Sequence, residues 1–279
     1  MLGYGADAAR RLGLGPLAAS VRDVADRFLT RAGWPPLEAG VDGLTLRGYL
    51  RHRSFLSLLA AGRYEVFTRR MFDQTLSPGI LVVDGGAHIG LYTLLAARRL
   101  GPNGHVLAFE PDPHNFRALV INAARNGLGA FIDARCLALA DRCGEMPFHA
   151  SPGTISGSLV NRPAIGRRRL LTVRTTTVDA ELEGAPLQGL LVKLDLEGGE
   201  SLALRGMHNT LQRARSAVLF LEVNPEALRD AGTSPADLLA ELAHLGFRTQ
   251  MLDESTQTVI PLTRTSHIQK GNLYCTRGV

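Results

Sequence analysis

The chain has 279 residues, 45% of them hydrophobic and 20% charged, with a net charge of +5 and a pI near 9.5. That is ordinary globular composition, enough for one large domain with a sizeable core, and no apolar run approaches the roughly 20 residues a membrane helix needs. The basic balance permits contact with nucleic acid, anionic lipid or an acidic substrate but selects none of them.

Residues 1–77 read as a mostly helical extension capping the domain over residues 78–279. Pro16 to Arg31 fits one amphipathic helix with Leu17, Val21, Val24, Ala25 and Phe28 on one face, ended by Trp34-Pro35-Pro36. Val41 to Leu50, centred on Asp42-Gly43, alternates like a hairpin. Ser54–Ala60 and Tyr64–Leu76 read as helices, and Ser77-Pro78-Gly79 breaks the chain. From residue 78 to 279 strand and helix alternate. Ile80–Asp84 is a strand followed by a glycine turn and the helix 89–100. His105–Glu110 is a second strand, and the helix 113–126 ends at Asn126-Gly127. Phe131–Ala140 is a third strand and Leu170–Val178 an inserted one. Leu190–Asp195 is a fourth core strand before the helix 200–213, and Ala217–Val223 a fifth. The helix Pro235–Leu245 precedes two closing strands, Phe247–Leu252 and Asn272–Thr276. Repeated strand–helix units predict an α/β protein with a mostly parallel sheet and helices on both faces.

In such a sheet, ligands bind beyond the carboxyl ends of the strands. Asp84, Glu110, Asp141, Asp195 and Glu222 stand at five of those ends. A glycine turn entering a helix lets a ligand approach the backbone and meets it with unpaired N–H groups. Gly85, Gly86 and Gly90 supply that turn. Glu110, 20 residues after Gly90, suits the two hydroxyls of an adenosine ribose. A dinucleotide site would show G-x-G-x-x-G. The pattern here is Asp84-x-Gly86-x-His88-x-Gly90, whose acidic start would repel a pyrophosphate and suits the ammonium of a methionine moiety. Asp141 is the expected acceptor for an adenine amino group.

These residues resemble the FkbM family of S-adenosylmethionine-dependent methyltransferases. The matching blocks are VVDGGAHIGLYTLLAAR (82–98), FEPDPHNFRALVINAARNGL (109–128), LALAD (137–141), VKLDLEGGESLALRGM (192–207) and LFLEVNP (219–225), with RYEVFTRRMF (63–72) as lead-in. The K-x-D-x-E-G block from Lys193 to Gly198 is the most specific. The resemblance covers roughly residues 60–277. It implies a class I, Rossmann-like methyltransferase fold with a seven-stranded sheet, S-adenosylmethionine as cofactor, and a hydroxyl acceptor on a sugar, glycolipid or polyketide-like metabolite. His88 departs from it, since the family more often shows Asn there.

The expected cofactor contacts are Asp84, Gly85, Gly86, Ala87, His88, Gly90, Glu110, Pro111 and Asp141. Asp195 is the expected base or orienter for the acceptor hydroxyl, with Lys193 and Glu197 as further catalytic candidates. Ser158, in a Gly- and Ser-rich loop over Thr154–Asn161, and Glu222 and Asn224, at a strand end, are candidate acceptor contacts. Asp195, Glu222 and Asn224 are also hard oxygen ligands at neighbouring strand ends, which makes a divalent cation such as Mg²⁺ a second candidate ligand. Tyr64-Glu65 could reach the cofactor from the extension. Other readings are a small-molecule N-methyltransferase, a nicotinamide oxidoreductase, and a non-catalytic RNA-binding protein of the same fold. The expected partner is a small-molecule or glycan- or lipid-linked acceptor rather than nucleic acid, and a homo-oligomer is compatible with the sequence. Three cysteines without metal-ligand spacing, and no signal peptide pattern, predict a cytoplasmic protein.

Overall fold

A computed structural model describes residues 37–150, 157–162, 169–262 and 268–279. The helix expected over 16–31, the break at Trp34 and the first three residues of the loop from Thr154 lie outside the described residues. The first described elements are a hairpin of β1 (Leu37–Val41) and β2 (Leu44–Gly48), then α1 (Arg53–Ala60) and α2 (Val66–Thr75). The Asp42-Gly43 turn joins the strands with both residues at positive φ, as a two-residue hairpin loop requires.

The main sheet begins with β3 (Ile80–Gly85), followed by α3 (Leu91–Leu100), β4 (His105–Phe109), α4 (Pro113–Arg125) and β5 (Ile132–Arg135). The chain then leaves it. β6 (Ala138–Leu139), β7 (Gly144–Ala150), β8 (Gly157–Ser158) and β9 (Arg169–Thr176) form a separate four-stranded sheet in the order β6-β9-β7-β8. After the short α5 (Val178–Glu181) the main sheet resumes with β10 (Gly189–Leu194), α6 (Glu200–Arg205), α7 (His208–Arg213) and β11 (Ser216–Val223). It closes with α8 (Pro225–Asp230), α9 (Pro235–His244), β12 (Arg248–Asp253), β13 (Thr258–Pro261) and β14 (Gly271–Arg277).

The order across the main sheet is β13-β12-β14-β11-β10-β3-β4-β5. The central pairs β11–β10, β10–β3, β3–β4 and β4–β5 are parallel, and β14 inserts antiparallel beside β11. Strand order reverses between β3 and β10, which places a crevice at their carboxyl ends. The sheet has eight strands rather than seven, because β13 adds an edge beyond β12. The expected third strand, Phe131–Ala140, is cut at Cys136-Leu137. Its first part stays in the main sheet, and Ala138-Leu139 pairs with β9. The expected helix 200–213 is likewise two short helices, broken at Gly206-Met207.

The parallel strands carry Val82, Val83, Val106, Leu190, Leu191, Val192 and Leu219, all fully buried because helices cover both sheet faces. The hairpin docks through two asparagines one turn apart, Asn122 on α4 and Asn126 at its C-cap. Asn126 accepts from Thr45 N and donates to Thr45 O, while Asn122 does the same with Arg47. Four residues of helix advance about 6 Å and two residues of strand about 6.6 Å, so the two amides imitate a partner strand for β2. At the other end, Glu254 accepts from Phe67 N and Thr68 N, tying the first turn of α2 to the β12–β13 connection.

The turn after β3 runs at positive φ at Gly86 (78°), His88 (53°) and Gly90 (100°). A side chain on Gly86 would collide with the carbonyl oxygen of Asp195, so this turn and the end of β10 touch backbone to backbone. Gly184 also has positive φ (71°) but nothing within 4 Å of a built Cβ. Gly184→Ala therefore carries only the dihedral cost, about 1–2 kcal/mol, whereas Gly86→Ala adds the collision and is expected to cost at least about 3 kcal/mol. Urea unfolding of both variants checks this, and equal losses would contradict the close approach.

Candidate active site

A cavity of about 330 Å³ opens where the strand order reverses. Asp84 on β3 is fully enclosed, at 2% exposure, and accepts from the Thr93 hydroxyl on α3. Burial pushes its carboxyl up to about 6, against the hydrogen bond from Thr93 and the charge of Lys193. Gly86, Ala87 and His88 form the adjoining wall. Gly85 and Gly90 shape the turn without lining the cavity.

Glu110, just beyond β4, accepts from His88 N at 2.8 Å, from Asp112 N at 2.8 Å and from Asn115 Nδ2 at 3.5 Å. Burial pushes its carboxyl up to about 8, while these donors favour the charged form. Pro111 lines the cavity beside it. The His88 ring meets His52 and Phe55 edge-on, each at 5.0 Å between centroids, and its buried Nε2 has no hydrogen-bond partner among the described residues. Asp141 lies outside the cavity. It follows β6, which belongs to the second sheet, and its carboxylate faces Arg142 at 3.2 Å and Arg205 at 3.9 Å.

Across the cavity, the register of β3 against β10 sets Lys193 beside Asp84. Lys193 is 1% exposed. Its Nζ lies 3.4 Å from Asn272 Oδ1, 3.5 Å from Leu194 O and 5.1 Å above the Tyr92 ring. Burial opposes its charge, but Asp195, Glu65, Glu222 and Asp84 around it raise its pKa above the usual lysine value. Asp195, Glu197 and Glu222 each bring a carboxylate oxygen within 4.8 Å of the others. Burial first, then the Glu222 charge, pushes Asp195 well above the ordinary carboxylate range.

Asn224, expected as a ligand beside them, is turned away. Its oxygen accepts from Glu226 N and Ala227 N and caps α8, so the third carboxylate of the cluster is Glu197 instead. Lys270 Nζ lies 3.5 Å from Glu222 Oε1, so lysines supply counter-charge that a divalent ion would otherwise bring. Ser158 reaches the cavity, but its hydroxyl is engaged with the carbonyls of Leu196 and Glu197 and with Val160 N. Glu197 sits at a positive φ of 51° and pairs with the buried Arg162. Glu200 fixes this loop by accepting from Leu196 N and Gly198 N, and burial pushes its carboxyl up to about 7.

Sequence reasoning left Tyr64-Glu65 open and missed Asn272, Asn115 and His52. Glu65 lines the cavity from a left-handed N-cap position (φ 44°, ψ 47°) and accepts from Tyr92 Oη at 2.6 Å and Asn272 Nδ2 at 2.9 Å. These residues show no recognisable spacing, because Glu65, Asn272, Asn115 and His52 also meet partners 27 to 207 positions away.

Against known proteins, the sequence matches the methyltransferase FkbM domain over residues 84–249. The chain belongs to that family. It is 27% identical over 169 residues to the hexuronic acid methyltransferase AglP of Haloferax volcanii, covering 60% of this chain and 63% of that protein. It is 31% identical over 169 residues to the 31-O-demethyl-FK506 methyltransferase FkbM of Streptomyces tacrolimicus, covering 58% and 62%. The matches thus span less than two thirds of each relative. Among solved structures, a putative O-methyltransferase from Klebsiella pneumoniae is similar at 12% identity and a TM-score of 0.44, over 91% of this chain and 95% of that one. Among the described residues, no helix is long and apolar enough to cross a membrane.

His52 gives the site a pH signature. It is fully buried, and burial depresses its pKa from 6.5 to about 4, opposed by its hydrogen bond to Asn115. Between those values the unfolded chain binds a proton that the folded one does not, so His52 lowers stability as pH falls from 6.5 to 4. The loss is about 3 kcal/mol. Denaturant unfolding of wild type and His52→Gln isolates it: the stability advantage of wild type is expected to shrink by that amount over the interval. A difference independent of pH would show that His52 titrates normally in the fold.

Proposed function

We propose that this protein transfers a methyl group from S-adenosylmethionine to a hydroxyl on a sugar, glycolipid or polyketide-like metabolite. The observation that carries the proposal is the convergence on one cavity of a glycine turn, the hydrogen-bonded Glu110 and the Lys193–Asp195–Glu197 block. The residues fit such a cofactor. The wall at Gly86 is bare backbone, the buried His88 Nε2 has no hydrogen-bond partner among the described residues, and six carboxylates against two lysines suit a cation. Relatives named for a hexuronic acid and for demethyl-FK506 support an oxygen-rich acceptor.

S-adenosylmethionine supplies a methyl group already activated by its sulfonium. The protein's work is to bind, align and take one proton. In this reading Glu110 holds the ribose hydroxyls, Gly86 to His88 face the methionine end, and Asp84 favours its ammonium. Asp195 takes the proton of the acceptor hydroxyl, with a Glu222 carboxylate oxygen within 4.8 Å to share the charge. Lys193 steadies the carboxylates from beneath. Tyr64, Phe148 and Leu159 exclude water on the acceptor side.

Calorimetric titration with S-adenosylmethionine tests the donor half. Wild type should bind, and Glu110→Ala should bind about 10- to 100-fold more weakly, the worth of hydrogen bonds to a charged group. Incubation with candidate polyols and mass spectrometry for one added methylene tests the acceptor half. Asp195→Asn should keep cofactor binding while transfer falls about 10²- to 10⁴-fold. A wild type that binds no S-adenosylmethionine would remove the proposal.

A further inference from the structure

The segment before β3 holds a side chain aimed at the back of Glu110. His52 lies between β2 and α1, outside the matched residues 84–249. Its ring is fully buried, and both nitrogens are engaged. Nδ1 accepts from Tyr49 N at 3.0 Å, so the proton sits on Nε2. Nε2 then donates to Asn115 Oδ1 at 3.0 Å. That contact fixes the Asn115 amide, because its oxygen has to face His52 and its nitrogen therefore faces Glu110 Oε1 at 3.5 Å. Arg51 flanks the relay, 3.6 Å from Asp112, whose own N–H also donates to Glu110.

We infer that His52 is a positioning residue for the cofactor site: through Asn115 it sets the orientation of the Glu110 carboxylate, so the segment before the family domain helps determine ribose recognition. The inference rests on the cofactor reading above. Glu110 has four lone-pair directions, and three N–H groups behind and beside it take up part of them. The direction left for a ligand is set by which donors occupy the rest. Without the Nε2–H, the Asn115 amide is free to turn its oxygen toward Glu110. The two acceptors would then repel and the carboxylate would swing. The His52 ring also packs edge-on against His88, whose N–H is another Glu110 donor, so one side chain steadies two of the three contacts.

A purely structural histidine would weaken every ligand alike, whereas a positioning one changes discrimination between ligands that differ only at the ribose. The test is calorimetric affinity for S-adenosylhomocysteine and its 2′,3′-dideoxy counterpart, on the full chain, with thermal unfolding as the folding control. Wild type should prefer the ribose form by about 10- to 100-fold. His52→Leu should lower that preference to under about threefold. His52→Gln, which keeps an amide donor near the Nε2 position, should restore most of it. In a Glu110→Gln background the same His52 substitution should change the preference little, because the relay has lost its target. If His52→Leu does not fold, Asn115→Leu breaks the relay from α4 and the same ratio decides. A folded variant of either kind that keeps the wild-type preference, or loses both ligands equally, overturns the inference alone. A wild type that binds neither ligand overturns the cofactor reading and the inference with it.

Discussion

A carboxylate taken out of water costs several kcal/mol unless donors meet its oxygens. This chain places several around one cavity, and much of the architecture outside the central sheet answers that cost. Asp84 is met by the Thr93 hydroxyl from α3, and Glu110 by two backbone N–H groups and Asn115. Glu200 is met by the N–H groups of the loop it supports, and Glu65 by Tyr92 and Asn272. Those donors come from α3, α4 and β14 and from the connections that follow β3, β4 and β10. The N-cap of α2 and β14 therefore form part of the site, because Glu65 stands on the first and its donor Asn272 on the second.

The central sheet was legible because its physics is local. A parallel strand covered on both faces must be a short apolar run, and Ile80–Val83, Val106–Phe109, Leu190–Val192 and Ala217–Leu221 are such runs. The glycine turn was legible from its residue types, but the reason read from them, room for a ligand, is replaced at position 86 by the approach of Asp195 O. The misses share a different cause. Asp141 was placed by assuming that its strand ends on the common rim, but β6 pairs with β9, and that choice depends on residues some 35 positions away. Asn224 was read as a ligand, although Pro225 behind it is the first residue of α8 and marks Asn224 as an N-cap. His52, Asn115 and Asn272 are single polar residues whose meaning comes from partners 63 and 79 positions distant, which no spacing rule encodes.

The described part of the extension reaches the cavity because two unlike devices hold it. Asn122 and Asn126 hold β2 with four hydrogen bonds of the kind a sheet makes, which fixes its register to α4. Asn122 Nδ2 also donates to Ile89 O, so the same amide joins the hairpin to the glycine turn. Glu254 holds α2 through two N–H groups, where a negative charge also suits the helix dipole. Between these anchors the chain has little slack. Phe55, Tyr64 and Glu65 stand on the cavity wall as a result, and Glu65 keeps a left-handed backbone that would otherwise relax.

Lys193 shows how the charge in this cavity is kept usable. A buried ammonium beside several carboxylates could collapse onto one of them as a tight pair, which would spend that carboxylate. Here its nearest partners are neutral: the Asn272 amide oxygen, a backbone carbonyl and the face of Tyr92. Its charge is then shared among Asp84, Asp195, Glu65 and Glu222 as a field rather than given to one as a bond. Asn272 is what makes this possible, because its oxygen holds the lysine while its nitrogen holds Glu65. The carboxylates keep oxygens facing the cavity, each partly neutralised, which suits a site that must attract a cation and still accept a proton.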